Sequence, residues 1–109
     1  MKRILITTAV IVLLIGCLLC LAVLDRYRHA VYWIEEGAFS KATSYVDEFP
    51  FFIELYEPGL VSYAYAGEAM GYGHYDEAIE LLKPLADVNY RDSAERLKYC
   101  MDQADQLPN

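Results

Sequence analysis

The first part of the chain is an unbroken hydrophobic stretch. Residues 4–24 contain no charged side chain, Lys2 and Arg3 precede them, and Asp25 and Arg26 follow directly. A helix of this length spans about 31 Å at ~1.5 Å per residue, which matches the ~30 Å hydrocarbon core of a bilayer. A cleavable secretory signal has a shorter apolar core and a small-residue cleavage site. The pattern therefore predicts a single-pass N-terminal transmembrane anchor over residues 1–25.

A competing interpretation of the same stretch is a lipid anchor. The four residues from Leu14 to Cys17 resemble the lipobox of bacterial lipoproteins, in which the cysteine is lipidated and becomes the new N-terminus. In this chain apolar residues continue from Cys17 to Leu24, whereas lipoproteins usually turn polar at that point. The sequence favours the intact spanning helix and leaves lipidation at Cys17 as the alternative. Both alternatives attach the protein to a membrane.

Downstream of the anchor, apolar residues recur at intervals of three and four, the spacing of helices that pack along one face. No stretch of useful length alternates with a period of two, so the sequence predicts no sheet. No proline or glycine lies between Leu24 and Gly37, so we expect the anchor and the first domain helix to form one continuous rod. The apolar stripes are Tyr27, Ala30, Val31 and Ile34; Phe39, Ala42, Val46 and Phe49; Leu60, Ala64, Gly67 and Gly71; Tyr75, Ala78, Ile79 and Leu82; and Ala94, Leu97, Met101 and Ala104.

Proline positions and one capping pattern predict further helix boundaries. Pro50 is expected to end the second helix, and Pro58 suits the first turn of the third. Pro84 is expected to end or kink the fourth helix because it lacks the N–H that would donate to the preceding turn. Asp92 followed by Glu95 is similar to a capping box and predicts the start of the final helix.

A short motif, Gly-x-aromatic-x-x-Ala, occurs twice in this region at an interval of 36 residues. Glycine permits a tight turn, the aromatic ring fills the angle between two helices, and alanine allows the helices to approach closely. A period of this length is typical of stacked helical hairpins. The motif residues are Gly37, Phe39 and Ala42 in the first copy and Gly73, Tyr75 and Ala78 in the second.

The motif resembles the hairpin turn of tetratricopeptide-repeat (TPR) proteins, whose units are ~34 residues long. The resemblance implies an all-α fold in which the transmembrane helix precedes a domain at residues 26–109 containing two TPR-like helical hairpins and a C-terminal capping helix. The chain departs from the family in lacking its Trp-Leu-Gly cluster and closing proline, and we expect the extra residues in the connection 49–57. Two units fall short of the three such stacks usually need, so the anchor, a second copy of the chain or a partner would complete the stack.

The net charge of the domain restricts the classes of partner that it can bind. Residues 25–109 carry all 16 acidic residues and seven of the nine basic ones, a formal charge of −9. Nucleic-acid binders need the opposite sign to displace counterions from phosphates, so this class is excluded. The acidic balance also argues against a domain that lies flat on anionic lipid.

Candidate catalytic chemistry is sparse. The two histidines, His29 and His74, are predicted in a juxtamembrane helix and a hairpin turn, so they assemble no nucleophile, base and orienting acid. Cys17 and Cys20 have CxxC spacing, but in a membrane helix cysteine is most simply a small apolar residue. Cys100 is the single cysteine of the domain. We therefore expect no enzymatic activity, no metal site and no cofactor.

All ten tyrosines lie after residue 25, and tyrosine suits surfaces with one buried and one wet end. The TPR resemblance implies that Tyr27 and Tyr63 face a concave groove, where they would contact a protein or peptide partner. We expect a membrane-anchored, non-enzymatic interaction module. The alternative is a small accessory subunit of a larger membrane complex, and a homo-oligomer would also complete the stack.

The orientation of the domain is set only weakly by the flanking charges. Lys2 and Arg3 before the span are nearly balanced by Arg26 and Arg28 after it. The very short polar tail before the span is similar to a signal anchor, which keeps its N-terminus inside. We therefore expect a bacterial plasma-membrane protein with its acidic domain outside the cytoplasm.

Overall fold

The computed structural model describes residues 1–106, which form six α-helices and no β-strand. The predicted all-α fold is confirmed, and residues 107–109 of the predicted domain lie outside the described residues. The molecule measures 71 × 24 × 22 Å because the first helix projects well beyond the others. The helices are α1 (Lys2–Glu35), α2 (Phe39–Val46), α3 (Pro50–Tyr56), α4 (Leu60–Gly71), α5 (Tyr75–Asp87) and α6 (Ser93–Gln106).

Helix α1 is a single rod of 34 residues, so the predicted continuity between anchor and domain is confirmed. The helix is long and apolar enough to cross a membrane. Its first buried residue is Val23, and Ala30 and Ile34 are buried further along, so the domain packs only on its C-terminal part. The predicted boundary between residues 25 and 26 therefore falls inside a helix.

The domain is a stack of helices in which successive helices pack in pairs. Helix α1 packs on α2 and helix α4 packs on α5, while α2 also contacts α4 and joins the two hairpins. Helix α6 packs on α5 and closes the described part of the stack. Burial of apolar side chains at these contacts is the main stabilising term. The core residues with no exposed surface are Ala30, Ala42, Val46, Ile53, Leu60, Ala64, Ala66, Ala78, Leu82 and Cys100.

The two predicted turns are confirmed and have the same backbone. Gly37 and Gly73 adopt the left-handed region, with φ of +80° and +77°. In both turns the glycine N–H donates to the carbonyl three residues earlier at 3.1 Å, and the next N–H donates to the carbonyl five residues earlier at 2.8 Å. This pair of hydrogen bonds is the Schellman arrangement, which satisfies the last carbonyls of a helix.

Three predicted boundaries are corrected by the structure. The connection 49–57 contains helix α3, and Pro50 begins this helix because an N-terminal proline has no N–H to leave unpaired. Helix α4 begins at Leu60 rather than at Pro58, because Gly59 precedes it with φ of +97°. Helix α5 continues through Pro84 to Asp87, so the predicted end at Pro84 is wrong, whereas the alternative, a kink, stays a prediction.

The apolar stripe predicted for the final helix is also corrected. Helix α6 begins at Ser93, as the capping pattern predicted to within one residue, but Ser93 and Cys100 form its buried face. Ala94 and Met101 of the predicted stripe are exposed, whereas Leu97 of that stripe is partly buried against the core. The stripe is therefore wrong at Ala94 and Met101 only, because α5 is the main neighbour of α6 among the described helices.

Candidate interaction site

A carboxylate at the end of α3 joins three parts of the chain. The Tyr27 hydroxyl, from α1, donates to Glu57 Oε1 at 2.8 Å. The Tyr90 hydroxyl donates to Glu57 Oε2, and the Arg91 guanidinium donates to the same oxygen at 2.9 Å. Glu57 therefore ties the domain part of α1 to the turn between α5 and α6.

A second carboxylate repeats this arrangement at the start of α6. Asp92 accepts a hydrogen bond from the Tyr63 hydroxyl, and Arg96 Nε donates to Asp92 Oδ1 at 2.9 Å. The Arg96 guanidinium also lies 5.0 Å from the centre of the Phe39 ring and 5.4 Å from that of Tyr63. These cation–π contacts place α6 against both hairpins.

The rings of Tyr63 and Tyr90 meet edge to face at 5.6 Å and join the two carboxylates into one network, which we call the tyrosine–carboxylate cluster. Its backbone is unusual at the α5–α6 turn, where Asn89 and Arg91 have φ of +54° and +43°. Asparagine tolerates this region, whereas arginine rarely adopts it. Arg91 pairs with Glu57 at 2.9 Å in this conformation. The cluster consists of Tyr27, Glu57, Tyr63, Tyr90, Arg91, Asp92 and Arg96.

The electrostatics of the cluster are those of a structural network. Burial raises the pKa of Glu57, but hydrogen bonds from Tyr90, Tyr27 and Arg91 outweigh it and hold that pKa below its usual range. Burial also raises the pKa of Asp92, but hydrogen bonds from the Tyr63 hydroxyl and the Arg96 guanidinium outweigh it and hold that pKa below its usual range. Burial and the neighbouring carboxylate raise the pKa of Tyr90. At neutral pH both carboxylates are ionised and their tyrosines are protonated, so these groups are not poised for proton transfer.

The other candidate reactive groups lie apart from the cluster. Cys100 is buried, and this burial raises the pKa of its thiol, which makes it a poor nucleophile. His29 and His74 are exposed and lie near Asp25 and Glu77, each on its own helix or turn. Within residues 1–106, no three His, Cys, Asp or Glu side chains are grouped to hold a metal ion.

The structure places the two predicted partner-contacting tyrosines in different surroundings. Tyr27 is half-buried, and its ring stacks on Tyr56 at 5.7 Å. Tyr63 is only 4% exposed, and its ring contacts Phe39 of α2 and Tyr90 of the α5–α6 turn. Tyr63 is therefore a core residue in this structure, whereas a partner contact at Tyr27 stays a prediction. Cys17, the predicted lipidation residue, is exposed on α1.

A cleft opens at the edge of the stack where both hairpin turns lie. Gly67 forms its floor by close contact with Phe39, since a Cβ at Gly67 would lie 2.1 Å from the ring. Gly71 beside it borders open space, and Tyr72 on the rim is 65% exposed. We call this the distal cleft; it has a volume of about 350 Å³ and is lined by Gly37, Ala38, Phe39, Ser40, Lys41, Gly67, Glu68, Gly71 and Tyr72.

Gly67 and Gly71, which belong to the third predicted apolar stripe, have a GxxxG spacing, and this spacing is the one feature of the sequence that points to the cleft. It predicts close packing of helices, which the structure confirms at Gly67 but not at Gly71. The spacing alone does not show that the second glycine leaves a gap, because that depends on how far α2 extends along α4.

In comparisons with known proteins, no protein family, curated protein or solved structure matches this chain.

Proposed function

We propose that this protein is a membrane-anchored, non-enzymatic interaction module that presents a protein-binding cleft at a fixed distance from the bilayer. The observation that carries the proposal is the unbroken helix α1, which contains both the apolar stretch 4–24 and the first helix of the domain. A flexible linker would let the domain reorient, whereas a continuous helix holds it at a defined height.

The distal cleft is the surface that we assign to the partner. Gly37 lies 13 residues after Leu24, so its turn stands about 20 Å beyond the apolar stretch. The cleft combines an aromatic floor at Phe39 with polar groups at its rim, among them Lys41 and Tyr72. Such a mixture suits an extended peptide segment of a protein with one apolar side chain to bury.

The domain itself is proposed to be a divergent TPR-like pair of hairpins. Three features support this: the shared turn geometry at Gly37 and Gly73, the aromatic residue that begins the following helix, and the fully buried alanines Ala42 and Ala78. The extra helix α3 and the buried Tyr63 distinguish it from a regular repeat. Tethering such a module raises the effective concentration of its partner near the membrane.

Site-specific photocrosslinking in membranes tests the proposal. A benzophenone amino acid replaces Tyr72 at the rim of the distal cleft, or Glu80 as a matched control on the exposed face of α5. We expect a discrete protein adduct from position 72 and none from position 80. Equal labelling from both positions would contradict a specific cleft. Mass spectrometry of the N-terminal peptide in the same sample decides between an intact span and lipidation at Cys17.

A second candidate function, the accessory subunit, is favoured by one observation in the span. A shallow groove of about 630 Å³ runs along α1 beside the small residues Gly16 and Cys17. Small residues allow close approach of another transmembrane helix. A third benzophenone position, Leu13, lies in this groove. A stoichiometric membrane-protein adduct from position 13, without one from position 72, would favour the accessory subunit over the tethered module.

A further inference from the structure

Helix α3 exposes a face of large apolar side chains, of which Tyr56 also stacks on Tyr27 of α1. Phe51 and Leu55 are 69% and 66% exposed, while Phe52 and Tyr56 are 41% and 47% exposed. The opposite face carries Ile53, which is fully buried and fixes α3 on α1 and α4. The exposed face is therefore held rigidly in place, and its rings contribute a continuous apolar surface rather than scattered residues.

The acidic residues of this segment do not interrupt that face. Glu54 Oε1 accepts the Gly59 N–H at 2.8 Å, so its carboxylate caps the turn into α4. Glu57 accepts from Tyr27, Tyr90 and Arg91 within the tyrosine–carboxylate cluster. Both carboxylates are thus bound by the protein, and the face formed by Phe51, Phe52, Leu55 and Tyr56 carries no charge.

The face is continuous with the apolar surface of α1. Phe52, Leu55 and Tyr56 line a cavity of about 250 Å³ together with Leu19, Cys20 and Val23 of the span. These α1 residues lie one to five positions before Leu24, which corresponds to a depth of about 2–8 Å inside the end of the apolar stretch. Amphipathic helices that lie in a membrane interface bury their apolar face by ~5–10 Å, so the two depths agree.

We propose that α3 is a second membrane contact, which lies in the interface with its four exposed apolar side chains among the lipid acyl chains beside α1. The inference rests on the proposed anchoring by α1. Because the contact is apolar, it needs no anionic lipid and is compatible with the acidic domain. A span alone sets the height of the domain but leaves α1 free to rotate about its own axis, whereas a second contact fixes this rotation and keeps the distal cleft pointed away from the bilayer.

Depth-dependent fluorescence quenching of the full-length chain tests this. The single native tryptophan is removed as Trp33→Phe, and one tryptophan is introduced as Phe52→Trp in α3, Leu14→Trp in the span or Tyr72→Trp at the distal cleft. Each variant is reconstituted in phosphatidylcholine vesicles with brominated acyl chains. We expect the Phe52→Trp and Leu14→Trp variants to lose most of their emission and the Tyr72→Trp variant to lose little. Leu55→Trp repeats the measurement if the first α3 variant does not fold, as judged by circular dichroism.

The outcomes separate failure of α3 from failure of the anchor. Loss of emission in the Leu14→Trp variant without loss in the Phe52→Trp variant would overturn the α3 contact and leave the anchor standing. Iodide in the aqueous phase would then show where α3 lies. Quenching by iodide would place α3 in water, and absence of quenching would show that protein covers it. Either result overturns the proposal. An unquenched Leu14→Trp variant would overturn the anchor itself, and the α3 contact with it.

Discussion

The two hairpins have the same turn but different surroundings. Gly37 and Gly73 share φ values within a few degrees and the same pair of hydrogen bonds. Yet Phe39, which follows the first turn, packs against Gly67, while Tyr75, which follows the second, meets the half-exposed Tyr99 at 6.2 Å. The difference shows that a short motif determines its own turn, whereas the partner of its aromatic ring depends on the next element in the stack.

The same contrast separates the tyrosines at equivalent positions, Tyr27 and Tyr63. Tyr63 lies between contacts with Phe39 of α2 and Tyr90 of the α5–α6 turn, and it is enclosed. Tyr27 contacts Tyr56 and Glu57 at the end of α3 and stays half-buried. Position in the stack therefore decides which of two equivalent side chains joins the core.

The largest effect is expected at these tyrosines. Tyr63→Ala should lower the free energy of unfolding by about 3–5 kcal/mol, because it leaves a cavity in a fully packed site. Tyr27→Ala should cost about 1–2 kcal/mol, because less surface and one hydrogen bond are lost. The measurement is chemical denaturation of the full-length chain in detergent micelles. Equal losses would contradict the difference in enclosure between the two hairpins.

The next largest effect on stability is expected where Phe39 packs on Gly67. Gly67→Ala places a methyl group against the ring and should destabilise the chain by about 1–3 kcal/mol. Gly71→Ala is the matched control, because its methyl group meets open space and alanine favours a helix by ~0.5–1 kcal/mol. Thermal melts followed by circular dichroism distinguish the two variants. The contact would be disproved by a Gly67→Ala chain as stable as the Gly71→Ala chain.

The tyrosine–carboxylate cluster predicts a pH dependence of stability. The pKa of Glu57 is lowered on folding, so its contribution is present above the ordinary glutamate pKa of about 4.3 and is lost as pH falls through the lower folded value. Glu57→Gln should therefore destabilise the chain by about 1–3 kcal/mol at pH 7. The gap between wild type and variant should narrow on acidification to pH 3. Denaturation midpoints at the two pH values measure this.

The exposed Glu80 provides the control for that experiment, as Glu80→Gln should have the same stability as wild type at both pH values. A gap between wild type and Glu57→Gln that is independent of pH would show that the amide loses shape or packing rather than charge.

The smallest effect is expected at the shared turns. Gly37→Ala and Gly73→Ala should each cost about 1–2 kcal/mol from backbone strain alone, since a Cβ at either position meets no other atom within 4 Å. The two losses should agree closely, because the two turns have the same backbone. Asparagine at either position should cost less, since it tolerates the left-handed region. Unequal losses in parallel thermal melts would show that the turns differ energetically.

The local features of this fold could be predicted from the sequence because they depend on neighbours in the chain. The apolar stretch 4–24, the absence of breakers before Gly37 and the two glycine turns all follow from short-range chemistry. Helix α3 does not follow from the sequence, because seven residues are too few for a helical period to appear and a proline such as Pro50 can either end a helix or begin one.

The tyrosine–carboxylate cluster is less predictable from the sequence, because it is made by contacts between residues that are distant in sequence. Glu57 meets Tyr27, 30 residues earlier, and Arg91, 34 residues later. No spacing pattern in the sequence predicts such pairs. The distal cleft likewise depends on Phe39 packing against Gly67 while no side chain packs against Gly71, which is a matter of packing rather than of periodicity.

The central claim is that the anchored hairpins present the distal cleft to a protein partner. Recovery of that partner from membranes tests this claim most directly. Gly71→Leu fills the cleft from a position that borders open space, and Glu80→Leu adds the same side chain elsewhere on the surface. Affinity purification of full-length wild type and both variants, with matched membrane integration and melting, should recover the same partner with wild type and Glu80→Leu and lose it with Gly71→Leu. Undiminished recovery with Gly71→Leu would contradict the account.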